Sequence, residues 1–168
     1  MELLDILKIV AAVLALAIAI IGHEIMHGWV AFMYGDTTAK NAGRLTINPI
    51  SHVDMVGTII VPLSMYFLPM LMGAESGFLF GWAKPVPINT ATVIGRGGYN
   101  AAMQVDLAGI VYNFTLAAFA SIAIIALSQP VASDSLIYIF AYMLVFQILI
   151  INVVLGVFNL LPIPQFDG

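Results

Sequence analysis

Four apolar runs, at about 9–33, 56–72, 103–127 and 136–161, limit the folds that are open to this chain. Of its 168 residues, 62% are hydrophobic and only 8% are charged, too few to cover the surface of a soluble domain. At about 1.5 Å per residue, the first run is long enough to cross the roughly 30 Å hydrocarbon core of a bilayer. The sequence therefore predicts a membrane protein.

The predicted fold is an all-α polytopic membrane protein with a three-helix transmembrane core. The run at 56–72 is the shortest and contains Pro62 and Pro69, so it is predicted to be a re-entrant or partly inserted element. The 35–55 loop is rich in Gly, Asn and Thr and is predicted to contain short extended segments. Residues 1–168 are predicted to form a single membrane-embedded domain.

Composition excludes two classes of chemistry. The net charge is −4 and no basic patch is present, so nucleic acid is not an expected partner. The chain has no cysteine, which excludes a thiol nucleophile and a Cys-ligated metal. The expected surroundings are the lipid bilayer, and the sequence carries no signal for an oligomeric state.

The motif "GHEIMHGW" at 22–29 places His23, Glu24 and His27 inside the first apolar run. Ionisable groups in a membrane span are costly, and they usually mark a functional site. On a helix, residues four apart lie one turn along the same face, so both imidazoles can reach one metal ion. Glu24 can then meet a metal-bound water as a general base. This is the arrangement of the H-E-x-x-H zinc hydrolases.

Hydrolytic zinc usually has a third protein ligand and leaves one position for water. The candidates are Asp36, His52, Asp54, Glu75, Asp106, Asp134 and Asp167. Asp167 stands out because it follows "FNLLPIPQ", where Pro162 and Pro164 must end the last helix. Non-helical backbone at membrane depth is tolerated only where it lines protein or a water-filled cavity, such as an active site.

"HEIMH" in the first run and "NLLPIPQFDG" at the end of the chain together resemble the site-2 proteases, the intramembrane zinc metalloproteases. "GDTTAKNAGRLTINPISHVDMVGT" and "FGWAKPVPIN" are similar to the small prokaryotic branch of that family. The resemblance implies one Zn²⁺ per chain, bound by His23, His27 and Asp167, with Glu24 as general base and Asn159 as oxyanion stabiliser. It implies regulated intramembrane proteolysis, the hydrolysis of peptide bonds in or near transmembrane segments of membrane proteins.

The chain departs from the family pattern at a few positions. Ile110 stands where the motif of the third run usually has proline, and Gln165 and Phe166 replace a proline and a leucine before the aspartate. These changes affect helix geometry and substrate fit more than the chemistry. Family members continue into a further helix beyond the aspartate, so a chain ending at Gly168 is expected to be truncated at its C-terminus.

The position of the motif also constrains the topology. His23 and His27 lie beyond the middle of the first run and Asp167 lies beyond the last run, so these two runs must be parallel to bring the ligands together. This requires a single crossing between them, and the second run is therefore predicted not to cross. Four cations then share one side and Lys8 lies on the other; they are Lys40, Arg44, Lys84 and Arg96. The positive-inside rule predicts a site that opens toward the cytoplasm from a prokaryotic cell membrane.

Several interpretations remain open from the sequence. Asp106 and Asn113 can orient a ligand histidine, or Asn113 can be a helix-packing contact, the role also expected of Asn152. Asn159 can be a plain helix C-cap. The stretch 39–47 can be a plain loop, or an edge strand that binds substrate by β-augmentation.

Three rival functions also remain. A transporter or channel can place His and Glu in a membrane helix, but no repeated halves are seen. A catalytically inactive scaffold would not need Glu24. A different membrane zinc protease would use Glu75 as its third ligand.

Overall fold

The computed structural model describes residues 2–72, 83–127 and 135–161, and no strand forms among them. The elements are α1 (Leu3–Met33), α2 (Thr38–Asn41), a 3-10 turn (Pro49–His52), a π-helical stretch (Met55–Ile60), α3 (Val61–Leu71), α4 (Thr90–Leu127) and α5 (Leu136–Asn159). Helices α1, α4 and α5 are long and apolar enough to cross a membrane. The predicted all-α fold with a three-helix transmembrane core is therefore confirmed.

Helix α1 packs through one stripe of residues spaced four apart. The buried stripe consists of four alanines and the two histidines of the motif: Ala11, Ala15, Ala19, His23, His27 and Ala31. Small residues at this spacing let neighbouring membrane helices approach closely. The histidines lie on the same face, so the packing that holds the bundle together also buries both imidazoles.

Hydrogen bonds between the long helices fix their directions. The Tyr112 hydroxyl of α4 donates to the Ile18 carbonyl of α1 at 3.1 Å, and the Tyr34 hydroxyl donates to Gln104 Oε1 at 2.7 Å. Position numbers rise along α1 as they fall along α4, so these two helices are antiparallel. Helices α4 and α5 are also antiparallel, because the pairs Asn113–Asn152 and Leu127–Tyr138 are in contact. Helices α1 and α5 are therefore parallel, as the topology argument predicts.

The second apolar run forms a six-residue π-helical stretch followed by the 11-residue helix α3. Their combined rise of about 25 Å is short for a span. Asp54 is the N-cap of this run, and its carboxylate accepts from Val56 N–H at 3.0 Å and Gly57 N–H at 2.6 Å. After the run, Lys84 N–H donates to the His52 carbonyl at 3.0 Å. The chain thus returns to the end of the bundle that it left, so the run does not cross, as predicted.

The connecting loop differs from its prediction in one stretch. Asn48, Val53 and Asp54 have extended backbone, as expected in the 35–55 loop. An edge strand over 39–47 is wrong at its start, however, because residues 38–41 form α2. The cause is local: the Asp36 carboxylate accepts from Thr38 N–H at 2.9 Å, which favours a helical turn there.

Helix α4 begins well before the apolar run that predicted it. Its start at Thr90 is set by Asn89, whose side-chain oxygen accepts from Thr92 N–H at 3.1 Å. The first turns are polar and contain several glycines, so hydropathy did not indicate them. Gly98, with φ 69°, interrupts the helix between this polar part and the membrane-spanning part.

Candidate metal and catalytic site

His23 and His27 lie one turn apart on the buried stripe of α1, and both are more than nine-tenths buried. Their ring centroids are 4.6 Å apart with the planes at 72°, and the two Nε2 atoms are 3.0 Å apart. Two imidazole nitrogens on one tetrahedral zinc, each about 2.0–2.1 Å from the metal, would be separated by about 3.3 Å. The side chains are therefore close to the spacing that a shared ion requires.

Each histidine is oriented by an oxygen acceptor on α4. His27 Nδ1 is 2.6 Å from the Val105 carbonyl, and His23 Nδ1 is 2.6 Å from Asn113 Oδ1. A carbonyl can only accept, so Nδ1 of His27 carries the proton and its Nε2 presents a lone pair. The same holds for His23 with the amide oxygen. Two facing lone pairs repel unless a cation or a proton lies between them, so the donor set fits a metal ion.

Gly109 allows α4 to lie directly against both rings. A Cβ atom at this position would lie 2.4 Å from His27 Nε2 and 2.5 Å from His23 Cε1. Such distances are far below van der Waals contact, so any side chain would push the histidines apart from each other or from α4. The glycine thus allows the helix approach that brings Val105 and Asn113 within reach of the rings.

Glu24 faces the segment between α3 and α4. Its Oε2 accepts from Val86 N–H at 2.7 Å, and the Val86 side chain packs near Gly28 on the next turn of α1. This bond anchors one carboxylate oxygen of a residue on the same turn of α1 as the two histidines. The second oxygen can then take a proton from a water held at the histidines.

The segment 83–89 is held in place by two buried charged residues. Arg44, 5% exposed, donates to the carbonyls of Ser51, Lys84 and Pro85, the last at 3.3 Å. Asp36, 2% exposed, accepts from Asn89 N–H at 2.6 Å. These two anchors lie on either side of Val86 and position its N–H for Glu24.

The Asp36 carboxylate is stabilised in its charged form. Burial alone would raise the pKa of Asp36, but hydrogen bonds from Thr38 and Asn89 outweigh burial and lower the pKa below its ordinary value of 3.8. Asp36 therefore stabilises the loops next to the site by accepting from the backbone N–H groups of Thr38 and Asn89.

The remaining predicted site residues lie toward the end of α5. Asn159 is the last residue of that helix, and its Nδ2 donates to the Leu155 carbonyl at 3.0 Å within the same helix. It lies seven residues beyond Asn152, or about 10 Å further along the axis, in the direction in which α1 runs. Asp167 lies outside the described residues. The structure thus brings His23, His27 and Glu24 together and places Asn159 on the helix that leads to Asp167.

Of the four other candidate third ligands that the structure describes, Asp106 lies on α4 and the remaining three have contacts in the loops. His52 Nε2 lies 2.8 Å from the Thr46 carbonyl, Asp54 caps the second run, and Asp36 holds the loop. Within 2–72, 83–127 and 135–161, no group of three His, Cys, Asp or Glu residues could hold a metal ion. Glu75 and Asp134 lie outside those ranges, as does Asp167.

Four features around the site were not predicted from the sequence: the positions of Gly109, Val86 and Arg44, and the contact of Asn152 with Asn113. Gly109 carried a signal, since a glycine within an apolar helix indicates close approach, and Asn152 carried one as a polar residue expected to contact another helix. Asn113 contacts both His23 and Asn152 of α5, which are the two contacts that its open interpretations required.

Fold and site together define a helical membrane protein with a buried pair of histidines and an anchored glutamate on the same helix. The chain is similar to the Bacillus subtilis (strain 168) protein named "Putative zinc metalloprotease YwhC", with 36% identity over 158 residues. The match covers 93% of this chain but 64% of that relative, so the chain spans a little under two thirds of the relative's length. No protein-family model matches the chain, and no solved structure matches it significantly.

Proposed function

We propose that the protein is an intramembrane zinc metalloprotease that hydrolyses peptide bonds in or near transmembrane segments of other membrane proteins. The observation that carries the proposal is the pair of Nε2 atoms 3.0 Å apart inside a membrane bundle, with the Glu24 carboxylate on the same helix. The relative named as a zinc metalloprotease supports the same chemistry. This arrangement favours hydrolysis over transport, because Glu24 is anchored at one position by Val86.

The proposed ligands are His23, His27 and Asp167, holding one Zn²⁺ per chain. When bound there, zinc supplies Lewis-acid polarisation of the scissile carbonyl and lowers the pKa of water. Glu24 accepts a proton from the attacking water at its carboxylate and passes it to the leaving amine. Asn159 donates its amide N–H to the oxyanion as it forms, after its side chain turns away from the Leu155 carbonyl.

The substrate is proposed to be a transmembrane protein or peptide that unwinds locally to expose its scissile bond. The loops at the site end of the bundle carry Lys40, Arg44 and Lys84, whereas Lys8 lies near the other end. By the positive-inside rule this end faces the cytoplasm of a prokaryotic cell membrane. The site is therefore proposed to open toward the cytoplasm.

The first test is cleavage of a transmembrane reporter by the protein in proteoliposomes. Glu24→Gln removes the base and leaves both histidines, so we expect cleavage to fall by at least about 10²-fold while zinc stays bound. Glu2→Gln, at the start of α1, is the matched control and should cleave normally. Chelation should abolish cleavage, and added zinc should restore it. A Glu24→Gln protein that cleaves at the unsubstituted rate would contradict the proposal.

A further inference from the structure

A chain of hydrogen bonds runs from helix α5 through α4 to the first histidine. Asn152 Nδ2 donates to the Ile148 carbonyl at 2.8 Å, and Asn113 Nδ2 donates to Asn152 Oδ1 at 2.8 Å. Asn113 Oδ1 then lies 2.6 Å from His23 Nδ1. Both asparagines are fully buried, with 0% of their surface exposed.

The direction of this chain is fixed at one end. The Ile148 carbonyl can only accept, so it selects the amide orientation of Asn152 in which Nδ2 faces that carbonyl. Asn152 then presents its oxygen to Asn113, which must donate from Nδ2 and turn its own oxygen toward His23. Reversing either amide would place two acceptors or two donors face to face in a buried, low-dielectric site, which is unfavourable.

The consequence concerns the neutral tautomer of His23. An acceptor opposite Nδ1 places the ring proton on Nδ1 and leaves a lone pair on Nε2, the atom that faces His27. The opposite tautomer would carry a proton on Nε2 and could not ligate a metal through that atom. His27 obtains the same tautomer from the Val105 backbone carbonyl, without any side chain.

We infer that Asn152 is a positioning residue that fixes the tautomer of His23 through Asn113, so that metal loading depends on the packing of α5 against α4. The inference rests on the proposed function, in which His23 is a zinc ligand. The proposed third ligand, Asp167, follows α5 along the chain. Packing of α5 therefore orients His23, the first proposed ligand, and the third proposed ligand follows the same helix in the sequence.

The direct test is nitrogen-15 NMR of the histidine rings in the metal-free protein, which shows whether Nδ1 or Nε2 of each ring carries a proton. The chain has only three histidines, and a His52→Gln sample assigns one of them. In the unsubstituted protein, we expect the proton on Nδ1 for both His23 and His27. Asn152→Leu leaves Asn113 without its acceptor and should move His23 toward the Nε2-protonated tautomer, while His27 stays unchanged.

Two variants separate a tautomer effect from a packing effect. Asn152→Asp keeps an acceptor for Asn113 and should preserve the His23 tautomer. Gln147→Leu, an equal loss of polarity elsewhere on α5, should also preserve it. The His27 ring reports whether α1 and α4 remain packed in every variant. Retention of the Nδ1 proton on His23 in a folded Asn152→Leu protein would overturn the inference. Loss of that proton in Asn152→Asp to the same extent as in Asn152→Leu would also overturn it.

Zinc affinity provides a second measurement, by competition with a chelator. Asn152→Leu should weaken zinc binding by about 10–100-fold, the usual effect of losing a group that orients a metal ligand. Asn113→Asp offers an acceptor in either orientation, so adding Asn152→Leu to it should have little further effect. The inference would be overturned if Asn152→Leu lowered zinc affinity by the same factor with and without Asn113→Asp. If the unsubstituted protein shows the predicted tautomers but binds no zinc, the proposed function fails and the positioning role of Asn152 stands.

Discussion

At the residue scale, Gly109 controls how closely α4 can approach the histidine pair. An added methyl group would lie 2.4 Å from His27 Nε2, so Gly109→Ala must displace one ring or the whole helix. We expect zinc affinity to fall by about 10–100-fold, as for loss of a group that orients a ligand. Chelator competition measures this directly.

Gly95→Ala is the matched control for that substitution. It lies in the same helix, and a Cβ there would have no neighbour within 4 Å. It should leave zinc affinity unchanged and favour the helix by up to about 1 kcal/mol. Equal zinc affinities for Gly95→Ala and Gly109→Ala would contradict the close approach described here.

Asp36 predicts a pH dependence of stability. Because its pKa is lowered in the folded protein, its contribution is present above the ordinary value of 3.8 and is lost as the pH falls through the lower folded pKa. Asp36→Asn replaces one acceptor oxygen with a donor, which leaves either Thr38 N–H or Asn89 N–H without an acceptor and should cost about 1–3 kcal/mol at pH 7. Unfolding in mixed detergent micelles at several pH values should show this difference shrinking below about pH 4. A difference that stays constant down to pH 3 would contradict the role of the carboxylate.

The spacing of His23, Glu24 and His27 could be interpreted from the sequence because a helix brings residues four apart onto one face. The oxygens that orient the rings could not, since His27 meets a residue 78 positions away and His23 one 90 positions away. Those contacts depend on the register between helices. A polar residue such as Asn113 indicates that register only when its partner is already known.

At the element scale, the second apolar run decides which ends of the bundle meet. It leaves from the loop that holds Arg44 and returns to a segment that Arg44 binds. An arginine that donates to three carbonyls on two segments keeps both segments at the same end. Lysine could not replace it, since its single ammonium group cannot bridge this geometry.

Cysteine labelling in sealed vesicles tests this topology, because the chain has no native cysteine. Lys40→Cys and Lys84→Cys should both react with an impermeant reagent added from the cytoplasmic side. Lys8→Cys, near the start of α1, is the control and should react from the opposite side. Labelling of positions 40 and 84 from different sides would show that the second run crosses the membrane.

The existence of the three long helices was predictable, because each carries an apolar run longer than a bilayer requires. The failure of the second run to cross followed from its length, its prolines and the need to bring the ligands together. The start of α4 at Thr90 and the helix at 38–41 were not predictable from hydropathy. Both depend on side chains in polar sequence, Asn89 and Asp36, that accept from nearby backbone N–H groups.

At the scale of the whole molecule, α4 lies antiparallel to both α1 and α5 and packs against each of them. It supplies Val105, Gly109 and Asn113 to the histidines, and Asn113 also contacts α5. The parallel pair α1 and α5 then run toward the same end of the bundle, where the loops gather. The proposed site is completed there, by a residue that follows α5.

The most direct test of this account is the zinc content of the purified protein, measured per chain after removal of loosely bound metal. We expect about one zinc in the unsubstituted protein and in Glu24→Gln, and a large loss in His23→Ala and in Asp167→Ala. Glu75→Ala, the change at the rival third ligand, should retain zinc. Full zinc in Asp167→Ala together with its loss in Glu75→Ala would contradict a site shared between α1 and the end of the chain.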